Sequence, residues 1–421
     1  MTIQLKKGVF LTVEPTEKFK TIRILIRFQT MLNATTISKR SLLASLLETN
    51  SKLYDTQTKM SEELANLYGA SFNTYVSRKG NHHWLNFSMN LINGSYINDE
   101  TLLQSVVDFL KEVIFRPNVV NGAFEEVTFT REKENLKQYI DSMKEDKQYY
   151  ASTKLNELYF DDAPLQSMAS FGTIEAIEKE TAQSVATYYQ SLLAKDIVDI
   201  IVIGDVSEEE VIDMFDNLPF EDRADTKLPE IFFEAAPPKL IREKVEHEQI
   251  KQSKLNLGYY LPVDYGTKEY FPLLVFNGIF GGFSHSRLFM NIREKQSLAY
   301  YANSSFDTFR SLLTVQTGID AKNREQVLHL IHQELESIRQ GKIMDEELNQ
   351  TKEMLKNSYL LSLDNSRVLM EQAFIHRILP RVFYTEKQWM ELVEGVTKED
   401  VRKIAQQIEL AAVFFLEGTE N

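Results

Sequence analysis

Between Pro219 and Pro238 the regular spacing of apolar residues breaks down, and beyond it the same order of elements begins again. Ahead of the break, Val9 to Val13 and Ile22 to Phe28 read as strands split by the turn Glu14-Pro15-Thr16. The even positions of the second strand form one apolar face. From Ser38 to Tyr54, Leu42, Leu43, Leu46, Leu47 and Leu53 recur at helical spacing. A short helix from Ser61 to Tyr68 follows, with Ser61 as N-cap and Gly69 as stop. Strands at Ser71 to Ser77 and Trp84 to Leu91 precede an amphipathic helix that opens at Asn98-Asp99-Glu100 and closes near Pro117. Residues 123–160 read as mostly helical; Thr173, Thr181 and Ser207 cap further helices, and Val198 to Ile203 is a buried strand. After the break come a strand (Lys254 to Leu261), a helix (Lys268 to Phe280), a turn, more strands, a long helix (Arg324 to Arg339) and a charged helix (Asp345 to Leu361).

Such a restart is the mark of an internal duplication. The stretch LANLYGASFNTYVSRKGNHHWLNFSMNL parallels SLAYYANSSFDTFRSLLTVQTGI, which sets Phe72 against Phe306 and Asn73 against Asp307. The expected fold is therefore α+β: two tandem homologous domains, each a mainly antiparallel sheet with helices packed on it. Residues 1–218 form the first, 219–240 a linker and 241–421 the second. A chain of 421 residues is long enough for two cores.

Charge narrows the function classes. A formal net charge of −14 argues against nucleic-acid binding, which needs a basic surface to neutralise phosphates. The absence of cysteine removes disulfides and thiolate metal sites. No continuous apolar segment at the N-terminus reads as a signal peptide, and no run of about 18 apolar residues suits a membrane span. The expectation is a cytoplasmic protein with neither nucleic-acid nor membrane partner.

The most informative stretch is NGIFGGFSHSRLFMNIREKQSLAYYANSSF, residues 277–306. A hydrophobic helix runs into Gly281-Gly282, where glycine permits positive φ and close backbone approach. Ser284 and His285 complete a glycine-rich turn, and a short amphipathic segment ends at Arg293-Glu294-Lys295. Tyr300 then opens an extended run. Arg293 and Tyr300 flank one turn, so a guanidinium and a phenol can face one spot.

This line resembles the second-half signature of the pitrilysin/insulinase-type zinc peptidases at Phe280-Gly281-Gly282, Ser286-Arg287-Leu288-Phe289, Arg293-Glu294-Lys295 and Leu298-Ala299-Tyr300. The resemblance implies two related halves closing like a clam, with Arg293 and Tyr300 holding substrate peptide beside the scissile carbonyl. Tyr68-Gly69-Ala70-Ser71, Arg78-Lys79-Gly80-Asn81 and Arg131-Glu132-Lys133-Glu134-Asn135-Leu136 are similar to the bacterial branch named for elongation factor P modification.

Active members of that family carry His-x-x-Glu-His on an early helix, two histidines on one face binding zinc and a Glu activating water. The matching window here is Leu43-Ala44-Ser45-Leu46-Leu47 or, slipped, Ser45-Leu46-Leu47-Glu48-Thr49; neither holds a histidine. The expected third ligand falls near Leu136-Lys137-Gln138-Tyr139, which has no carboxylate. His82 and His83 are strand neighbours pointing opposite ways. His329 and His332, with Glu325 and Glu336, share a helical stripe that reads as a solvated flank. No metal site and no catalytic residue is thus expected in this chain alone.

The leading expectation is a zinc-free, non-catalytic subunit of a heterodimeric insulinase-like metallopeptidase, with zinc and the zinc motif in a homologous partner. Here Arg293 and Tyr300 bind peptide substrate beside the turn of Gly281, Gly282, Ser284 and His285. Two alternatives stand beside it: a peptide-binding or scaffolding protein with no catalytic partner, and an independent hydrolase with a relocated metal at His329 and His332.

Overall fold

The computed structural model describes residues 1–227, 230–382 and 384–419. Six strands make the first sheet: β1 (Thr2–Lys6), β2 (Val9–Pro15), β3 (Thr21–Met31), β4 (Ser71–Lys79), β5 (His82–Ile92) and β6 (Ile197–Gly204), in the order β1-β2-β6-β3-β5-β4. The second sheet has β7 (Arg242–Glu248), β8 (Ser253–Tyr260), β9 (Ala299–Asp307), β10 (Leu312–Ile319) and β11 (Glu409–Gly418), in the order β9-β10-β8-β11-β7. In each sheet one pair is parallel, β2 with β6 and β11 with β7, and the other neighbours are antiparallel. The run β2-β6-β3-β5-β4 thus repeats as β7-β11-β8-β10-β9, so the duplication read from the sequence is present in the topology.

The register of the repeat differs from the sequence reading. Strands β4 and β9 are both nine residues long, both end their sheets, and close hairpins at Lys79↔His82 and Asp307↔Leu312. Matched end to end, Phe72 stands level with Tyr300, not with Phe306. Aromatic residues recur along both edges, and the longer second turn lets a sequence alignment slide.

Each sheet has a core face set by period-two alternation. Ile22, Ile24, Ile26 and Phe28 of β3 are all buried, and Phe87 and Met89 of β5 join them. Helices α1 (Ala34–Thr49), α2 (Leu102–Phe115), α3 (Glu126–Met143) and, after a gap, a helix over Ala182–Lys195 cover that face. Asn33 rather than Ser38 starts α1, its side chain accepting from Thr35 N, and Leu53 lies beyond the helix, exposed. The helix expected from Ser61 runs instead over Gln57–Asn66 with Thr56 as N-cap. Thr173, Thr181 and Ser207 cap helices as their sequence positions predict.

The opposite face of each sheet is covered by a helix from the other half of the chain. The first compact unit comprises Met1–Ser142, Met168–Pro229 and Asn365–Pro380; the second comprises Met143–Ser167, Glu230–Asp364 and Arg381–Asn421. The helix over Lys147–Tyr159, α4, therefore belongs to the second unit. Its Ala151, Leu155 and Tyr159 pack on Leu312, Ala412, Phe414 and Leu416, and its Tyr159 hydroxyl donates to Ser311 O at 2.5 Å. The helix over Ser366–Ile378, α9, belongs to the first unit. Its Phe374 meets Trp84 edge to face at 5.3 Å, and its Arg377 pairs with Asp199. The continuous boundaries 1–218 and 241–421 thus give way to interleaved units, because each sheet has two faces to bury and each half keeps helices for one.

The expected linker, 219–240, has no regular element among its described residues, yet it is pinned at both ends. Arg223 is buried, donating from Nε to Asp196 O at 2.9 Å, and Phe232 stacks on Phe309 at 5.1 Å. Leu228 and Pro229 lie outside the described residues. Among the described residues no helix is long and apolar enough to cross a membrane.

Candidate functional site

The second unit builds its site on one short helix and one edge strand. Helix α6, here numbered past the Ala182–Lys195 helix (α5), spans Tyr270–Asn277 and widens into a π-helical turn, Gly278–Gly282. A second π-turn spans Phe289–Glu294. Such turns are uncommon and recur at functional sites. Gly281 and Gly282 sit in the first turn and not at positive φ, so the expected left-handed role is absent. Close approach is their reason: a Cβ on Gly281 would lie 2.6 Å from Ser304 N, and one on Gly282 would lie 2.6 Å from the Asn277 side chain. Asn277 in turn accepts from Ser304 Oγ at 2.7 Å, locking the helix end to β9.

Arg293 lies near the end of the second π-turn. The N–H groups of Ser297 and Leu298 bond back to Arg293 O and Ile292 O, both at 3.0 Å, and Ser297 takes φ +52°. The chain reverses there, and Tyr300 follows as the second residue of β9. Both side chains are solvent-exposed, Arg293 by 42% and Tyr300 by 60%. The Arg293 guanidinium lies over the Phe289 ring at 4.6 Å and is 3.7 Å from Glu294. The Tyr300 hydroxyl makes one long bond, 3.4 Å, to Asp320 Oδ1. The two side chains therefore flank one turn with different partners, each free of deep packing.

The rest of the stretch is tied to the helices over Arg324–Arg339 (α7) and Asp345–Ser362 (α8). Arg287 forms a fork on Glu347, with Nε–Oε1 2.6 Å and Nη2–Oε2 2.9 Å, and also donates to Lys342 O at 2.6 Å. This bidentate clamp was not legible in the sequence, since Glu347 lies 60 residues away. His285 Nε2 lies 2.9 Å from Thr351 Oγ1 and its ring stacks on Phe283 at 5.5 Å; burial lowers its pKa. Ser284 is exposed. His285 is thereby anchored to α8 by a neutral hydroxyl.

In the first unit, the windows that the sequence reading set against the zinc motif lie on α1. Leu43, Leu46 and Leu47 are at most 1% exposed and belong to the core. Glu48 is exposed at one edge while its carboxylate packs against β4, where Oε2 accepts from Thr74 N at 3.4 Å; partial burial of the carboxylate, assisted by Glu132, raises its pKa. Leu136, the first residue of the window set against a third ligand, is also core. Among the described residues no three His, Cys, Asp or Glu side chains are grouped to hold a metal. His329 and His332 are exposed on α7, a solvated flank.

His82 and His83 do point apart. His82 Nδ1 meets Gln29 Nε2 at 2.7 Å, and His83 Nε2 meets Ser170 O at 2.7 Å. Burial, with the Arg40 charge adding to it, pushes the His83 pKa down to about 3 from 6.5. The folded protein thus binds its proton more weakly than the unfolded chain, so stability is lost as pH falls through 6.5 toward 3. Between pH 7.5 and 5.5 this costs about 1.4 kcal/mol. Urea titrations across that range should show His83→Gln with a correspondingly flatter slope; equal slopes would remove His83 from the acid response.

Comparison with known proteins bears on the family and the fold. Residues 179–355 match the family model described as "Peptidase M16 inactive domain". A Bacillus subtilis (strain 168) protein described as "Probable inactive metalloprotease YmfF" is 33% identical over 417 residues, 98% of this chain and 97% of that protein. A conserved protein from Enterococcus faecalis V583 of solved structure is 54% identical, with a TM-score of 0.95 over 100% of this chain and 99% of that one. A peptidase M16 inactive domain from Pseudomonas fluorescens, 17% identical, has the same fold at a TM-score of 0.80, covering 100% of this chain and 98% of that one. With a relative 33% identical over 98% of its length and a match to the inactive-domain model, the chain belongs to the M16 peptidase family.

Proposed function

We propose that this chain is the metal-free subunit of a two-chain peptidase, holding a peptide for cleavage at the zinc of a homologous partner. One asymmetry carries the reading. The zinc position of the first unit is filled by Leu43, Leu46 and Leu47, while Arg293 and Tyr300 of the second stand in solvent. Arg293 would grip peptide carbonyls and Tyr300 would donate to a developing oxyanion on the scissile carbonyl; zinc held by the partner would supply activation of water. Strands β4 and β9 each end a sheet, and an extended peptide can add at such an edge. Those edges also favour the second reading, a peptide-binding protein with no catalytic partner. Within the family we group the chain with the branch named for elongation factor P modification, on the three motifs quoted above.

The test is to purify the chain alone and with a homologue bearing His-x-x-Glu-His, then measure mass, zinc content and cleavage of a peptide library. The expected result is a heterodimer with zinc only in the partner and faster cleavage than either chain alone. Stoichiometric zinc and peptide hydrolysis by the lone chain would sink the proposal, and peptide binding without any pairing would favour the second reading.

A further inference from the structure

On the face of the first sheet that α9 covers lies a cavity of about 120 Å³. Arg23 and Arg27 of β3, Asn73 and Tyr75 of β4, and Arg367 and Glu371 of α9 line it. The strand residues are odd-numbered, so they share the face opposite the core.

The charges in this cavity do not balance. Arg27 is only 4% exposed; its Nε donates to Asn86 Oδ1 at 2.8 Å and its Nη2 to Glu371 Oε2 at 3.0 Å. Its Nη1 is buried without a hydrogen-bond partner. The other oxygen of Glu371 is taken by Lys79 Nζ at 2.7 Å. Arg23 bonds a neutral group, Ser366 Oγ, at 3.0 Å, and burial together with the Arg367 charge lowers its pKa. Arg27 also lies directly across the strand pair from Asp199, itself held by Arg377, so Arg23, Arg27, Arg367, Arg377 and Lys79 stand against two carboxylates, Glu371 and Asp199. A buried donor left unpaired and like charges held together both cost free energy, which a bound anion would relieve.

A cavity on the corresponding face of the second sheet, nearer the hairpin end of β9, shows that such charge is not imposed by the fold. There the β9–β10 hairpin and α4 enclose a cavity of about 200 Å³. Ser152, Asn156, Thr314 and Gln316 line it, and its one guanidinium, Arg310, is matched by Asp307 at 2.7 Å. Same architecture, closed charge.

We infer that the cavity of the first unit is a carboxylate subsite for a bound peptide, with Arg23, Arg27 and Arg367 as its donors. The guanidinium fork suits the planar carboxylate, and the cavity has room for that group. A peptide extended along β4 places alternate side chains on the face that carries Asn73 and Tyr75. The carboxylate is that of an Asp or Glu side chain or of the peptide's C-terminus. This inference rests on the peptide-holding reading above.

The experiment uses the full chain and rhodamine-labelled decapeptide pools matched in pairs: Glu against Gln at each position, and free against amidated C-termini. Fluorescence anisotropy is expected to show about tenfold tighter binding of the acidic member of one pair type, weakening with salt. A Glu preference assigns a side-chain carboxylate, and a free-terminus preference assigns the C-terminus. Arg23→Gln and Arg367→Gln, the latter at an exposed position, should each bring the ratio toward one. Pools that bind with no acid preference overturn the subsite and leave the peptide-holding reading standing. A preference that survives in the double variant also overturns it, and pools that do not bind at all overturn both.

Discussion

Tyr300→Phe is expected to slow peptide cleavage by the assembled pair about 100-fold while leaving the two chains assembled. Tyr300 is held by its strand, not by its hydroxyl: the backbone is in β9, and the phenol reaches Asp320 Oδ1 at 3.4 Å. A hydrogen bond that long is weak, so little is lost when the hydroxyl turns to a substrate oxygen. An oxyanion donor is typically worth about 2.7–4 kcal/mol of barrier, and the loss falls on kcat because the bond is made fully only in the transition state. Phenylalanine keeps the ring and the strand. The measurements are kcat at saturating peptide and the mass of the complex in solution. A pair that turns over at the wild-type rate would take Tyr300 out of the mechanism.

Arg377→Met is expected to destabilise the first unit by about 3–5 kcal/mol. Asp199 of β6 is 2% exposed, and the Arg377 guanidinium of α9 covers it, with Nη2–Oδ2 at 2.7 Å. Burial raises the Asp199 pKa, and Arg377 is the first of the opposing influences. The guanidinium also lies over Phe10 at 4.5 Å. Methionine keeps much of the packing volume but strands a carboxylate on the sheet, where the alternatives are to take up a proton or to pull α9 away. Adding Asp199→Asn should recover most of the loss, since a buried pair removed whole costs far less than a pair broken. Chemical denaturation of the single and double variants checks both. A single variant within about 1 kcal/mol of wild type would mean that the ion pair does not hold α9 in place.

The leucine-rich buried face of α1 and the reversal between Arg293 and Tyr300 were both legible from residue order. Each depends on neighbours a few positions apart: leucines in place of histidines on one helical face, and a charged turn between two short elements. The clamp of Arg287 on Glu347 and the orphaned Nη1 of Arg27 were not, because each joins distant segments. Arg23 and Arg27 already read as the polar side of β3, but Arg367, far along the chain, carries no sign of where it goes.

Periods of two and 3.6 residues are local properties, so the amino-acid order sufficed for the strands, for most helices and their threonine and serine caps, and for the duplication itself. Which helix covers which sheet face is a long-range choice. Helices α4 and α9 each crossed to the sheet of the other half, where Leu155 and Phe374 found apolar partners and Asp199 found its counter-charge. Nothing in either helix's own pattern names that partner, so the interleaved units, the true register of β4 against β9 and the cationic cavity emerged only once the faces had met.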